Sequence, residues 1–218
     1  MLDVQAVILY PLTVSSLQKK VRSIQKLKNM TTDMATDNLT TLLMLGDSLV
    51  EWGDWEALLP EIEVINRGIA GEHTEELSTR LVNEIDRVLA VRSEPEYILI
   101  MTGTNNLLMG NLYFPVILQS MLPRLIDLCP RSNITLNAIM PMQISMQISG
   151  LIVESITAVN KELFDIAKQN GCHFLDMTVP FTEQCLPVTK PCFLNDGIHL
   201  ATRGYQIWAE SIKRHLCR

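Results

Sequence analysis

Five short apolar runs recur along the chain, and most are followed by a stretch of helical periodicity. That alternation restricts the fold more than any other feature. The runs are Leu42 to Leu45, Ile62 to Ile65, Tyr97 to Met101, Ile134 to Ile139 and Cys172 to Leu175. Strands that alternate with helices imply a parallel sheet covered on both faces. Between the runs, the spacing predicts a short helix over Trp52 to Leu59, closed by Pro60. A longer one follows over Thr74 to Ala90, with Leu77, Leu81, Ile85, Val88 and Leu89 as its buried stripe. Further helices are expected from about Pro115 to Leu128, from Ile152 to Gln169 with Gly171 as the C-cap glycine, and from roughly Arg203 to Leu216 with Thr202 as the cap. The segment Thr178 to Asn195, which carries Pro180, Pro187 and Pro191, is read as irregular.

At 218 residues, the chain is long enough for one good core and short for two. With 47% hydrophobic and 19% charged residues it reads as an ordinary globular protein. The expected architecture is α/β, a flavodoxin-like three-layer α/β/α sandwich on a five-stranded parallel sheet of order 2-1-3-4-5. Residues 41–218 would form this domain, and residues 1–40 an amino-terminal extension.

The extension stands apart in charge. Net charge is −6 overall, yet Lys19, Lys20, Arg22, Lys26 and Lys28 crowd the first thirty residues. Leu17, Val21, Ile24 and Leu27 share one face there, so residues 14–30 read as a basic amphipathic helix, followed by a polar, Thr-rich linker. Packing on a protein surface is the plainer reading, and weak contact with an anionic lipid surface the sharper one. The acidic remainder argues against nucleic acid as the main partner. No apolar run is long enough to span a bilayer, and an acid, Asp3, stands where a signal peptide needs bases. The five cysteines are irregularly spaced, which suggests reduced thiols and a cytoplasmic location. A zinc site from Cys172, His173, Cys185 and Cys192 lacks the usual short ligand spacing, so no metal or other cofactor is expected.

The chemistry-bearing residues gather where the runs end. The first stops at Gly46-Asp47-Ser48, the second at Asn66-Arg67-Gly68 and the third at Gly103-Thr104-Asn105-Asn106. In a parallel sheet these ends share one edge, where open α/β sheets bind ligands. Far downstream, Asn195-Asp196-Gly197-Ile198-His199 places an acid three residues before a histidine. A serine hydroxyl is a weak nucleophile unless an imidazole takes its proton. Ser48 would be the nucleophile, His199 the base, and Asp196 the carboxylate that orients it. Backbone amides of Ser48 and Gly68 and the Asn105 side-chain amide could hold an oxyanion. Asp47 would shape the turn that presents Ser48, and Asn106 would support the third loop. Each residue also has a bland reading as a turn or capping group. Only the four stretches in this order carry weight.

The segments Gly46-Asp47-Ser48-Leu49, Asn66-Arg67-Gly68-Ile69-Ala70-Gly71, Gly103-Thr104-Asn105-Asn106 and Asp196-Gly197-Ile198-His199 resemble the four sequence blocks of the SGNH hydrolases, or GDSL esterase/lipase family. Within it, the first two blocks look most like the bacterial relatives of platelet-activating-factor acetylhydrolase. The resemblance covers residues 41–216 and implies a flavodoxin-like sandwich, metal-free ester hydrolysis and the roles given above for Ser48, Gly68, Asn105, Asp196 and His199. Two positions depart from the pattern: Asn106 stands where the family usually has aspartate, and Leu200 where it often has proline. The expected function is a serine esterase or acylhydrolase acting on a small to medium, lipid-like acyl ester, with homo-oligomers conceivable. A carbohydrate O-acetylesterase is the alternative within the enzymes, and a non-catalytic flavodoxin-like binding module the alternative outside them.

Overall fold

The computed structural model describes residues 39–143, 149–185 and 191–217. The basic amphipathic segment, with its expected lipid contact, lies outside them, as do most of the linker and part of the Met-rich loop after Pro141. Five strands form one parallel sheet in the order 2-1-3-4-5. They are β1 (Thr40–Gly46), β2 (Ile62–Gly68), β3 (Tyr97–Met101), β4 (Asn133–Asn137) and β5 (His173–Leu175).

β1 lies at the centre of the fold. From Leu42 to Gly46 it is fully buried, because both faces of the sheet are covered. Successive side chains point to opposite faces. Leu43 and Leu45 enter a core with helices α3 (Thr74–Leu89), α5 (Phe114–Leu128) and α6 (Ser149–Gln169). Leu42 and Met44 enter a second core with α1 (Ser48–Glu51), α2 (Trp55–Leu58), α7 (Thr178–Gln184) and α8 (Thr202–Leu216). Fully burying one such side chain contributes ~1.5–3 kcal/mol. A short helix, α4 (Thr104–Leu108), follows β3.

Several boundaries differ from the sequence reading for local reasons. The expected helix from Trp52 to Leu59 shortens to α2, because Asp54 caps its start, and a separate helix capped by Asp47, α1, ends just before it at Glu51. α7 occupies part of the segment read as irregular; Phe181 draws it onto the second core despite Pro180. The N-cap of α8 is Ala201, not Thr202, and makes no side-chain cap bond. Leu89 falls outside the α3 stripe and is exposed. Gly171 does end α6. At φ +67° it is left-handed, and Cys172 N–H donates to Ala167 O at 2.9 Å, the long bond of a Schellman turn.

The thiols need a correction. Cys185 and Cys192 form a disulfide, with Cα atoms 5.9 Å apart. Their separation of seven residues gives no framework signal, but the end of α7 and the approach to α8 bring them together. The pairing removes the reduced-thiol support for a cytoplasmic location and takes both sulfurs out of the imagined zinc set. Cys129, Cys172 and Cys217 are free thiols. No described helix is long and apolar enough to cross a membrane.

Candidate active site

The strand register brings the first three loops to one level. Gly46 pairs with Gly68 on one side and Met101 on the other, so the residues after all three leave the sheet together. Cross-links then fix the loops to one another. Ile69 N–H donates to Gly46 O at 2.9 Å, and Asn105 Nδ2 donates to Glu72 O at 2.9 Å.

Ser48 is the first residue of α1. Asp47 caps that helix, its Oδ1 accepting from Leu49 N–H at 3.0 Å. A first-turn residue has no intrahelical acceptor for its own N–H, so the Ser48 amide points out of the helix start. The helix is braced from outside. Tyr205 Oη donates to Leu49 O at 3.0 Å, Trp55 Nε1 to Val50 O at 2.8 Å, and Asn66 Nδ2 to Val50 O and Glu51 O at 3.0 and 3.1 Å. Ser48 is thus presented on a rigid support at the end of a buried strand.

His199 comes from the opposite end of the sequence. Ser48 Oγ lies 3.0 Å from His199 Nε2, and His199 Nδ1 lies 2.7 Å from Asp196 Oδ2. Since a carboxylate only accepts, the neutral ring carries its proton on Nδ1 and accepts from the serine hydroxyl at Nε2. The other Asp196 oxygen accepts from the N–H groups of Ile198 and His199, both at 2.9 Å. Burial works to raise the Asp196 carboxyl, but the His199 ring and these two amides outweigh it and hold it below the usual range. The loop is pinned at its base: Phe193 and Leu200 form an antiparallel bridge, and Leu194 N–H donates to His199 O at 2.7 Å. Gln143 N–H reaches across to Gly197 O, also at 2.7 Å.

The three expected oxyanion donors are in different states. The Ser48 N–H opens the helix. Asn105 uses one amide hydrogen on Glu72 O and carries a second. Gly68 N–H donates to Asn66 Oδ1 at 2.9 Å, so it would have to exchange that partner to serve a ligand. Gly68 is required for close approach, since a Cβ there would collide with the Glu51 amide.

Asp47 and Asn106 lie behind the site, fully buried. Burial pushes the Asp47 carboxyl up to about 6; the Leu49 amide, the Thr104 hydroxyl and His199 lower it in part, and Glu72 adds to the rise. The Thr104 hydroxyl is near enough to ease the charge but out of hydrogen-bond geometry: among the described residues neither Asp47 Oδ2 nor Thr104 Oγ1 has a partner. Asn106 Oδ1 accepts from Thr74 N–H at 2.9 Å, and its Nδ2 donates to Glu75 Oε2 at 2.7 Å. This supports the third loop as expected, with the bonding that an amide permits.

The remaining histidines are elsewhere. His73 is the N-cap of α3, His173 is on the edge strand, and the half-buried His215 bonds Thr135 Oγ1 at 3.1 Å. One neighbour of the site was missed. The Trp52 indole stacks on the His199 ring, with centroids 4.2 Å apart and planes 23° from parallel. Its position four residues after Ser48, in a helical segment, was the available signal.

A model of the GDSL-like lipase/acylhydrolase family matches residues 44–207. The chain belongs to that family. Its GDSL-type fold is shared with solved structures at low identity. One, provisionally described as a platelet activating factor from Streptococcus pneumonia, is 21% identical with a TM-score of 0.65, over 90% of this chain and 99% of that one. A GDSL-like lipase from Bacteroides thetaiotaomicron is 19% identical with a TM-score of 0.62, over 87% of this chain and 96% of that one. The acetylxylan esterase Axe2 of Geobacillus stearothermophilus is 20% identical with a TM-score of 0.64, over 81% of this chain and 94% of that one. A search of curated sequences returns no match.

Proposed function

We propose that this GDSL-family protein is a serine esterase that hydrolyses carboxylic esters of small to medium acyl groups through an acyl-enzyme on Ser48. The observation that carries this reading is the chain Ser48 Oγ, His199 Nε2, His199 Nδ1, Asp196 Oδ2, with links of 3.0 and 2.7 Å. Ser48 Oγ attacks the ester carbonyl carbon while its proton passes to Nε2. Asp196 holds the tautomer and stabilises the imidazolium. The carbonyl oxygen becomes an oxyanion facing the Ser48 N–H and the second Asn105 amide hydrogen, with Gly68 N–H joining if it leaves Asn66. One lost donor of this kind costs ~2.7–4 kcal/mol.

The carbon–oxygen bond to the alcohol then breaks, and Nε2 gives its proton to the departing oxygen. Water takes the alcohol's place, surrenders a proton to Nε2 and attacks the acyl carbon. The acid departs, and Ser48 recovers its proton.

The surroundings favour an apolar acyl group over an acetylated sugar. Leu108, Met109, Leu112 and Tyr113 are all exposed just after Asn105, and Ile69 and Leu194 are exposed on the other loops. A fluorophosphonate should label Ser48 alone, and p-nitrophenyl butyrate should turn over faster than acetylated xylose. Labelling elsewhere, or full turnover by Ser48→Ala, would defeat the reading.

A further inference from the structure

Trp52 is half exposed, at 50%, so burial in the core does not explain its position. What distinguishes it from an ordinary surface tryptophan is that one face of the indole is stacked on the ring that bonds Ser48. We propose that Trp52 is a positioning residue for His199: it fixes the plane of the imidazole and favours the imidazolium formed as Ser48 gives up its proton. This rests on the serine-esterase reading above.

The geometry follows from α1. Ser48 and Trp52 are four residues apart, so a single helical turn puts them on one side. Trp52 N–H donates to Ser48 O at 3.0 Å, which closes that turn. The helix carries the nucleophile at its start and a flat aromatic surface at its end. His199 bridges the two.

The ring needs a third support. Imidazole nitrogens bond along the ring plane, so the hydrogen bonds to Ser48 and Asp196 do little to oppose a tilt of the ring about the line joining them. A stacked indole opposes that tilt. The charge also needs help, because the side chains of His199 and Asp196 are 23% and 44% exposed. Water screens an ion pair placed so openly. An indole face attracts a cation through its quadrupole and covers one side of the ring from solvent. Among the described residues, no other aromatic ring stacks on His199.

The test compares Trp52→Leu and Trp52→Phe with the wild type on p-nitrophenyl butyrate, each normalised to sites titrated by a fluorophosphonate. Normalisation removes any loss due to misfolded protein. The Leu variant should lose roughly 5- to 30-fold in kcat per titrated site with KM within about twofold, and its fluorophosphonate inactivation rate should fall in parallel. The Phe variant, which keeps a ring to stack, should recover most of the loss. Wild-type kcat in Trp52→Leu, a loss confined to KM, or Phe no better than Leu would each overturn the proposal. Ser48→Ala is assayed alongside: if it turns over at the wild-type rate, the esterase mechanism fails first, whatever Trp52 does.

Discussion

Asn106 Nδ2 donates to Glu75 Oε2 at 2.7 Å, so the residue that departs from the family pattern is matched by a carboxylate on the neighbouring helix. Burial works to raise the Glu75 carboxyl, but hydrogen bonds from Asn106, its own backbone and Asn111 outweigh it and hold it low. An aspartate at 106 would set two carboxylates against each other. Asn106→Asp should therefore destabilise the protein by ~1–3 kcal/mol at pH 8. The new carboxyl would have a raised pKa, so the deficit should shrink as pH falls and one of the pair takes up a proton. Urea unfolding at pH 8 and pH 4.5 measures both values. Equal deficits would show that charge is not the cause.

Asp47 predicts a pH effect of its own. Its folded pKa of about 6 lies above the ordinary 3.8. The folded state then holds the proton more tightly than the unfolded state, and stability falls as pH rises from about 4 to about 6. Asp47→Asn keeps an Oδ1 acceptor for the Leu49 amide and carries no charge. It should be up to ~3 kcal/mol more stable than the wild type at pH 8, and the gain should disappear near pH 4. Chemical denaturation at the two pH values is the measurement.

Asp196→Asn leaves an oxygen able to accept from the Ile198 and His199 amides, so the loop should keep its shape. The charge facing Nδ1 would be gone, and an amide could stabilise the wrong tautomer. Turnover should drop by ~10²–10⁴ with KM little changed. In the wild type, the lowered pKa of Asp196 keeps it ionised as pH falls into the usual carboxylate range, so loss of the Asp196 charge should not set the acid limb of the rate profile.

The disulfide makes a separate prediction. A cross-link closing so short a loop contributes ~2–3 kcal/mol in the chain-entropy account. Cys185→Ser should lower the melting temperature in non-reducing buffer, and dithiothreitol should lower that of the wild type but not of the variant. A Cys217→Ser control should behave as the wild type does, since Cys217 is an exposed free thiol.

Much of this was legible in the sequence for identifiable reasons. Tyr97–Met101 was read to the residue because an apolar run between a proline and a polar loop has one solution. The parallel sheet followed from the strand–helix alternation, its 2-1-3-4-5 order was expected only from the flavodoxin-like type, and the meeting of Ser48, Asp196 and His199 followed from the residue types the chemistry demands. Helix α7 was missed because prolines argue locally, whereas the packing of Phe181 is a tertiary effect. The disulfide was missed because a loop's closure depends on where its ends are anchored. The Asn66 acceptor for Gly68 N–H was hidden for a similar reason: the Asn66 amide must first be turned by the carbonyls of α1. Trp52 was overlooked as one more apolar residue in a short helix.

Asp196 and His199 sit three residues apart in one loop, while Ser48 follows directly from the buried end of β1. A surface loop opens more easily than a buried strand, so the two halves should differ in their resistance to heat. Local opening between Phe193 and Leu200 would carry Asp196 and His199 away as a pair and leave the sheet intact. Warming should therefore silence the enzyme some degrees before it melts, and cooling should restore it without refolding. A thermal assay of turnover beside a far-ultraviolet melt would show the gap between those two temperatures.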